Sequence, residues 1–242
     1  VSALLSAMTP EEKAELCHGG FDPPDPGKVA NGGYLKGVPR LGVPEIRMFD
    51  GPAGVTSIYD TTGLPSEVLL ASTWRRKLAE KFGRVTGREN RVISGNCQLG
   101  AEADVCRTTH FNRTRDMLGE DPFLAGEMIV PLVKGIQSEG VMAVMKHLAA
   151  YVISANPADS PNTVVDEQTM REWYLTPFEK GIKEGRAAGV MTAYSRINGP
   201  YASNSSTLQK DILREDWGFK GMTVCDWGAN HSFTLKNGTD ME

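Results

Sequence analysis

The chain has 242 residues, 40% of them hydrophobic, enough for one large core or two modest ones. Its 26 basic and 30 acidic residues leave a net charge of −4, which argues against a nucleic-acid or anionic-membrane surface. No apolar run approaches the length of a transmembrane helix, and Cys17, Cys97, Cys106 and Cys225 form no CxxC pair, so zinc is disfavoured and the cysteines read as free thiols.

The chain starts at Val1 rather than methionine, and Ser2–Met8 is too short and uncharged for a signal peptide. Either a processed chain or numbering that begins inside a longer protein is expected. Met8-Thr9-Pro10-Glu11-Glu12 reads as a helix start, with threonine as cap, proline in the first turn and acids at the positive end of the dipole. Gly19–Gly33, rich in proline, reads as a loop. Ile46–Phe49 reads as a strand, and Asp50-Gly51-Pro52-Ala53-Gly54 after it as a turn able to approach a ligand.

The spacing of Leu78, Phe82, Val85 and Glu89 predicts a helix over Trp74–Ile93. Asn96–Val105 is strand-like but interrupted by Gly100, and Arg107–Leu118 is a polar loop carrying Arg113, Arg115 and Asp116. Gly119-Glu120-Asp121-Pro122 opens a helix that runs to about Gly140. Val141–Met145 is the next strand and ends in Lys146-His147. Asp166–Glu184 reads as one helix with Met170, Trp173, Tyr174, Phe178 and Ile182 on a buried face. Val190–Ala193 is a strand leading to Tyr194, Asn198-Gly199-Pro200 a turn, and Thr207–Trp217 a short helix. The Met222–Cys225 strand then delivers Asp226 and Trp227.

This alternation predicts parallel βα units and an α/β fold of the TIM-type (β/α)8 barrel. Five or six units can be counted over residues 1–242 where the closed barrel has eight, and the pattern stops midway at Asp240-Met241-Glu242. The barrel is expected to be incomplete as given.

Ligands of such folds sit where strands finish, and the strand ends here gather Asp50, Lys146, His147, Tyr194 and Asp226. There is no GxxxxGK[ST], no GxGxxG after a strand and no GxSxG, and the histidines are scattered. A polar pocket that binds many hydroxyls and presents one carboxylate for attack suits carbohydrate best, with Trp227 as a platform for a sugar ring. Plainer readings stand beside it. Asp226 could cap a helix, Asp50 stabilise a turn, and Arg113 pair with Asp116 or Glu120. Tyr194 and Trp227 could be core, and Lys146-His147 an exposed strand end. Trp74 and Trp217 read as packing residues.

Taken in order, Asp50-Gly51-Pro52-Ala53-Gly54-Val55, Leu70-Ala71-Ser72-Thr73-Trp74, Asn112-Arg113, Gly119-Glu120-Asp121-Pro122 and Lys146-His147-Leu148-Ala149 resemble the N-terminal catalytic domain of glycoside hydrolase family 3. Met191-Thr192-Ala193-Tyr194, Trp217-Gly218-Phe219-Lys220-Gly221, Asp226-Trp227 and Gly238-Thr239-Asp240-Met241-Glu242 continue the likeness, so that residues 1–242 resemble one such barrel domain along nearly their whole length. The resemblance implies a retaining, exo-acting β-glycosidase of the β-glucosidase or β-xylosidase type, acting on terminal non-reducing β-linked glucose. Asp226 would be the nucleophile, forming a covalent glycosyl-enzyme. Asp50, Arg113, Lys146 and His147 would bind sugar hydroxyls, Tyr194 would sit beside the nucleophile and Trp227 would flank the ring. Lys146 and Arg113 would favour the ionised Asp226. Neither cofactor nor metal is implied.

The likeness has gaps. Tyr151-Val152-Ile153-Ser154-Ala155-Asn156 departs from the family's sugar-binding loop, Asn112-Arg113 and Asp116 vary its arginine loop, and Leu148-Ala149-Ala150 disfavours the N-acetylglucosamine variant. The family's acid/base is a glutamate on a further α/β-sandwich domain, absent from these residues and expected as a partner. The alternatives are a non-catalytic sugar-binding barrel lacking that acid/base, and a barrel enzyme using Lys146 as a Schiff base. Sequons at Asn112, Asn204, Asn230 and Asn237 leave the compartment open.

Overall fold

The computed structural model describes residues 1–20, 32–56, 60–152, 161–230, 232 and 234–242. Its strands in chain order are β1 (Gly33–Leu35), β2 (Ile46–Asp50), β3 (Cys97–Glu102), β4 (Met142–Leu148), β5 (Asn162–Thr163), β6 (Gly189–Thr192), β7 (Arg196–Ile197) and β8 (Met222–Cys225). The main sheet has the order β1-β2-β3-β4-β6-β8, with β1 antiparallel at one edge and every other pairing parallel. β5 and β7 form a separate parallel pair.

Successive strand residues face opposite ways, and here each face joins a different core. Ala143, Met145 and Val190 pack with the helices, whereas Leu35, Met48, Leu99, Val144, Met191 and Val224 meet in a second cluster that Met241 completes. Leu35 and Val224 come from the two edges of the sheet, and a flat sheet could not bring them together. The sheet is therefore curled, in the manner of a TIM-type barrel with a filled interior. Backbone links bridge the edges. Val224 pairs in parallel with Met241, Gly19 N–H donates to the Glu242 carbonyl at 2.8 Å, and Gly20 pairs with Tyr34 of β1. Among the described residues, five parallel strands of the main sheet stand where a complete barrel has eight, as expected of an incomplete barrel.

The helices in chain order are α1 (Ser2–Ala7), α2 (Pro10–Glu15), α3 (Glu67–Ala71), α4 (Arg76–Val92), α5 (Pro122–Ser138), α6 (Glu167–Thr169) and α7 (Thr176–Lys183), with a π-wound helix over Thr207–Asp216. The Thr9 cap of α2 is a full capping box with Glu12, and Asp121 caps α5 through the N–H groups of Phe123 and Leu124.

Four expectations need correction. The buried face of α4 is Ala79, Phe82, Gly83, Thr86, Gly87 and Asn90, while Leu78 is exposed. The cause is close helix contact: a Cβ on Gly83 would stand 2.3 Å from the Leu132 carbonyl oxygen of α5, so only small residues fit. The single helix over Asp166–Glu184 is broken. Pro177 has no N–H to give the Trp173 carbonyl, and the turn widens, Leu175 N–H donating to the Met170 carbonyl at 3.0 Å. Its apolar face is still used, and Phe178 is fully buried, a contribution of roughly 1.5–3 kcal/mol. Trp74 is 76% exposed rather than packed, whereas Trp217 is buried. β3 runs through Gly100 with a register shift between Leu99 and Glu102 in place of an interruption. Most of the Gly19–Gly33 loop lies outside the described residues.

Candidate active site

The strand period carries the site. Met48, Val144 and Val224 point into the barrel interior, and two residues further along the same strands come Asp50, Lys146 and Asp226. Each continues the inward-facing row, one layer nearer the carboxyl ends of the strands. A cavity of about 420 Å³ opens there, with Leu99 and Met191 of the interior among its walls. That lies within the range of roughly 300–1,000 Å³ typical of small-molecule sites. Asp50, Arg113, Lys146, His147, Asp226 and Trp227 all line it, together with Arg115 and Asp116. Tyr194, the seventh residue singled out, donates its hydroxyl to the Trp227 carbonyl at 2.6 Å. A second cavity of about 230 Å³ shares Trp227 but is lined largely by Gly19, Gly20, Gly33, Met48, Cys225 and Met241.

The charged groups are held in pairs. Lys146 Nζ donates to Asp50 Oδ1 at 2.6 Å, and Arg113 Nη2 to Glu102 Oε1 at 2.8 Å. Asp104 Oδ2 accepts from the His147 backbone N–H at 2.8 Å and lies 2.9 Å from His147 Nδ1. Glu102 Oε2 is 3.3 Å from the same ring nitrogen. On the far side of the ring, Nε2 lies 3.5 Å from Asp226 Oδ2 and 3.2 Å from Arg113 Nη1. Tyr151 stacks edge-on to His147, with ring centroids 5.0 Å apart. Asp226 Oδ1 accepts the Trp227 N–H at 2.8 Å, and its buried Oδ2 accepts no hydrogen bond among the described residues.

Burial opposes the charge on His147, but Glu102, Asp104 and Asp226 outweigh it and raise its pKa to about 9. Burial likewise opposes the charge on Glu102, and His147, Lys146 and Arg113 bring its pKa down to about 2. Lys146 is shifted upward as well, desolvation being overcome by Asp50 and Glu102, so it stands as an ammonium. An ammonium is no Schiff-base nucleophile, which removes the support for an aldolase-like use of Lys146. Burial, and then the neighbouring Glu102 charge, push the Glu67 carboxyl of α3 well above its ordinary value. Burial and then Asp226 raise the Tyr194 phenol, which stays protonated.

Arg113 pairs with Asp116 as one plain reading had it, at 3.5 Å, but its shorter partner is Glu102. The cation facing Asp226 is also not the expected one. Lys146 and Arg113 are engaged by Asp50 and Glu102, and His147 is the cation within ion-pair reach of Asp226 among the described residues. Glu102, Asp104 and Glu67 were missed by sequence reasoning. The signal was Ala101-Glu102-Ala103-Asp104, two acids set in an otherwise apolar strand. Donor atoms of Glu102, Asp104 and His147 lie within 4.8 Å of one another, a spacing that could hold a metal ion. Their charge is already balanced by Arg113 and Lys146, so a dication there would meet two cations. Of the variant loop Tyr151–Asn156, residues from 153 onward lie outside the described residues.

The chain resembles known proteins along most of its length. The chain is 34% identical to thermostable beta-glucosidase B of Acetivibrio thermocellus over its whole length, covering 32% of that protein. It is 34% identical to beta-glucosidase BoGH3A of Bacteroides ovatus, covering 96% of this chain and 31% of the relative. The structure of beta-glucosidase 3B from Thermotoga neapolitana in complex with glucose superposes with a TM-score of 0.92 at 37% identity, over 99% of this chain and 36% of that one. DesR, a beta-glucosidase from Streptomyces venezuelae in complex with D-glucose, gives a TM-score of 0.93 at 36% identity, over 100% and 30%. The chain thus spans about a third of the length of these relatives. The family model for the glycosyl hydrolase family 3 N terminal domain matches residues 33–240, most of the chain, and the chain belongs to that family.

Proposed function

We propose that this chain is the barrel domain of a retaining, exo-acting β-glucosidase that removes terminal, non-reducing β-linked glucose. Asp226 is the nucleophile: its Oδ2 attacks the anomeric carbon, the glycosidic bond breaks, and water later releases glucose from the ester. The observation that carries this reading is the state of Asp226, with one oxygen tied by the Trp227 N–H and the other buried at the cavity and accepting no hydrogen bond among the described residues. Asp50, Arg113, Lys146 and His147 bind hydroxyls through charge-assisted hydrogen bonds, which strengthen as the oxocarbenium-like transition state forms. Trp227 flanks the ring, and Tyr194 fixes Trp227. The glucose held by two of the related structures supports the substrate class.

Retaining hydrolysis also needs a proton donor. The other carboxylates that line the cavity are engaged in ion pairs, Asp50 with Lys146 and Asp116 with Arg113 and Arg115. This favours a donor from a further α/β-sandwich domain, as the family likeness implies. The same observation supports a second reading, a barrel that binds sugar without turning it over. An aryl β-glucoside, whose leaving group needs no proton, separates the two. Release of the aryl group in a burst, abolished in Asp226→Asn, is the expected result. Glucose binding without any release, unchanged in Asp226→Asn, would establish the binding protein instead.

A further inference from the structure

We propose that Glu102 is the positioning residue of this site, a buried carboxylate that sets how Arg113, Lys146 and His147 are presented to a sugar. The inference rests on reading the cavity as a sugar pocket. Glu102 is 1% exposed and is not among the residues lining the cavity, so it acts through others rather than by touching the ligand. Its Oε1 lies 2.8 Å from Arg113 Nη2 and 3.8 Å from Lys146 Nζ, and its Oε2 3.3 Å from His147 Nδ1. Three cations from two segments of the chain thus converge on one acid.

Its own place is fixed by the fold. Glu102 ends β3 in register with Lys146 of β4, and its backbone N–H donates to Glu67 Oε2 of α3 at 3.0 Å. Burial and the Glu102 charge both raise the pKa of Glu67, which disfavours a second negative charge beside Glu102. The need for a counter-charge is plain from the neighbouring distance: Arg113 Nη1 stands 3.2 Å from His147 Nε2, a contact that repels when both carry charge. The groups facing the His147 ring are Glu102 and Asp104 from β3 and the residues after it, Arg113 from the following loop, Tyr151 beyond β4, and Asp226 beyond β8. Removing the Glu102 charge leaves Asp104 and Asp226 against Arg113, with Arg113 released from its shortest partner. The ring then loses support for its proton, and the guanidinium and ammonium lose the point that spaces them.

Glu102→Gln keeps the shape and removes the charge, which separates this role from packing. In the otherwise intact protein, histidine NMR should show the His147 titration midpoint lowered by about one pH unit or more. Glucose affinity should fall by about tenfold or more, with KM for an aryl β-glucoside rising more than kcat falls. Glu102→Asp, which restores the charge, should bring the His147 midpoint back toward the wild-type value. A Gln variant with wild-type His147 titration and wild-type glucose affinity would overturn the proposal. Should the Gln variant fail to fold, the Glu102 carboxyl carbon of the wild-type protein decides: it should report an ionised group at neutral pH, and a protonated one there refutes the role. A wild-type protein that neither binds glucose nor releases aryl groups would remove the sugar reading, while the His147 shift would still judge Glu102.

Discussion

Asp226 Oδ2 lies 3.5 Å from His147 Nε2, and the two side chains reach that distance from strands that are not neighbours, β8 and β4, with β6 between them. His147 is pinned from behind by Asp104 through both its backbone N–H and Nδ1, at 2.8 and 2.9 Å. Asp226 therefore faces a ring whose position is set by Asp104, just beyond β3, and whose charge is set by buried acids.

Folding stability should fall at both extremes of pH. The pKa of His147 rises from an ordinary 6.5 to about 9 on folding, so its contribution is full below 6.5 and is lost as pH climbs through about 9. The pKa of Glu102 falls from 4.5 to about 2, so its contribution is present above 4.5 and is lost as pH drops through about 2. Urea midpoints measured across pH for the wild type and His147→Asn test the alkaline limb. The variant should lose the part of the decline that the imidazolium causes, and a profile parallel to wild type would count against a charged His147.

Glu67→Gln should stabilise the protein increasingly as pH rises. A carboxyl held well above its ordinary 4.5 must take up a proton on folding, and that uptake grows costlier once the unfolded chain is ionised. Glutamine can accept the same Glu102 N–H without titrating. Equal stability is expected below the unfolded pKa and a growing advantage for the variant above it, read from denaturation midpoints at a series of pH values.

The α4–α5 contact should tolerate no added methyl. A Cβ on Gly135 would stand 2.2 Å from the Glu80 carbonyl oxygen, a backbone atom that cannot step aside without moving the helix. Gly135→Ala should cost about 1–3 kcal/mol in chemical denaturation. Because the contact lies on the outside of the sheet, kcat/KM of the folded variant should change little.

Tyr194→Phe removes the hydroxyl that donates to the Trp227 carbonyl at 2.6 Å. The loss should be about 0.5–1.5 kcal/mol of stability. Since the Trp227 N–H holds Asp226 Oδ1, kcat should drop along with a change in tryptophan emission. Wild-type kcat in the phenylalanine variant would show that the Trp227 backbone needs no such tether.

Much of this site could be read along the chain. The strands ending at Asp50, Lys146-His147 and Asp226 were plain because each is an apolar run that stops at a polar residue, and the inward row is a matter of counting by two. Glu102 and Asp104 could not be placed that way. Their meaning depends on pairings with Lys146 and Arg113 across 44 and 11 residues of sequence, and on a register shift that turns Glu102 inward beyond Leu99. The face of α4 was misread for a related reason. Ala79, Gly83, Thr86 and Gly87 carry little hydrophobic signal, yet they are buried because α5 comes so close. Pro177 was visible in the sequence, but whether it would end the helix or widen a turn depended on how well Phe178 and Ile182 packed behind it.

The most direct measurement is covalent trapping with a 2-deoxy-2-fluoro-β-glucoside that carries an activated aryl leaving group. Fluorine slows formation and breakdown of the glycosyl-enzyme alike, while the good leaving group keeps formation the faster step and makes the second carboxyl unnecessary for it. Intact mass should rise by one fluoroglucosyl unit, and peptide mapping should place that unit on Asp226. Glucose binding with no covalent adduct, or an adduct on Asp50 instead, would contradict Asp226 as the nucleophile.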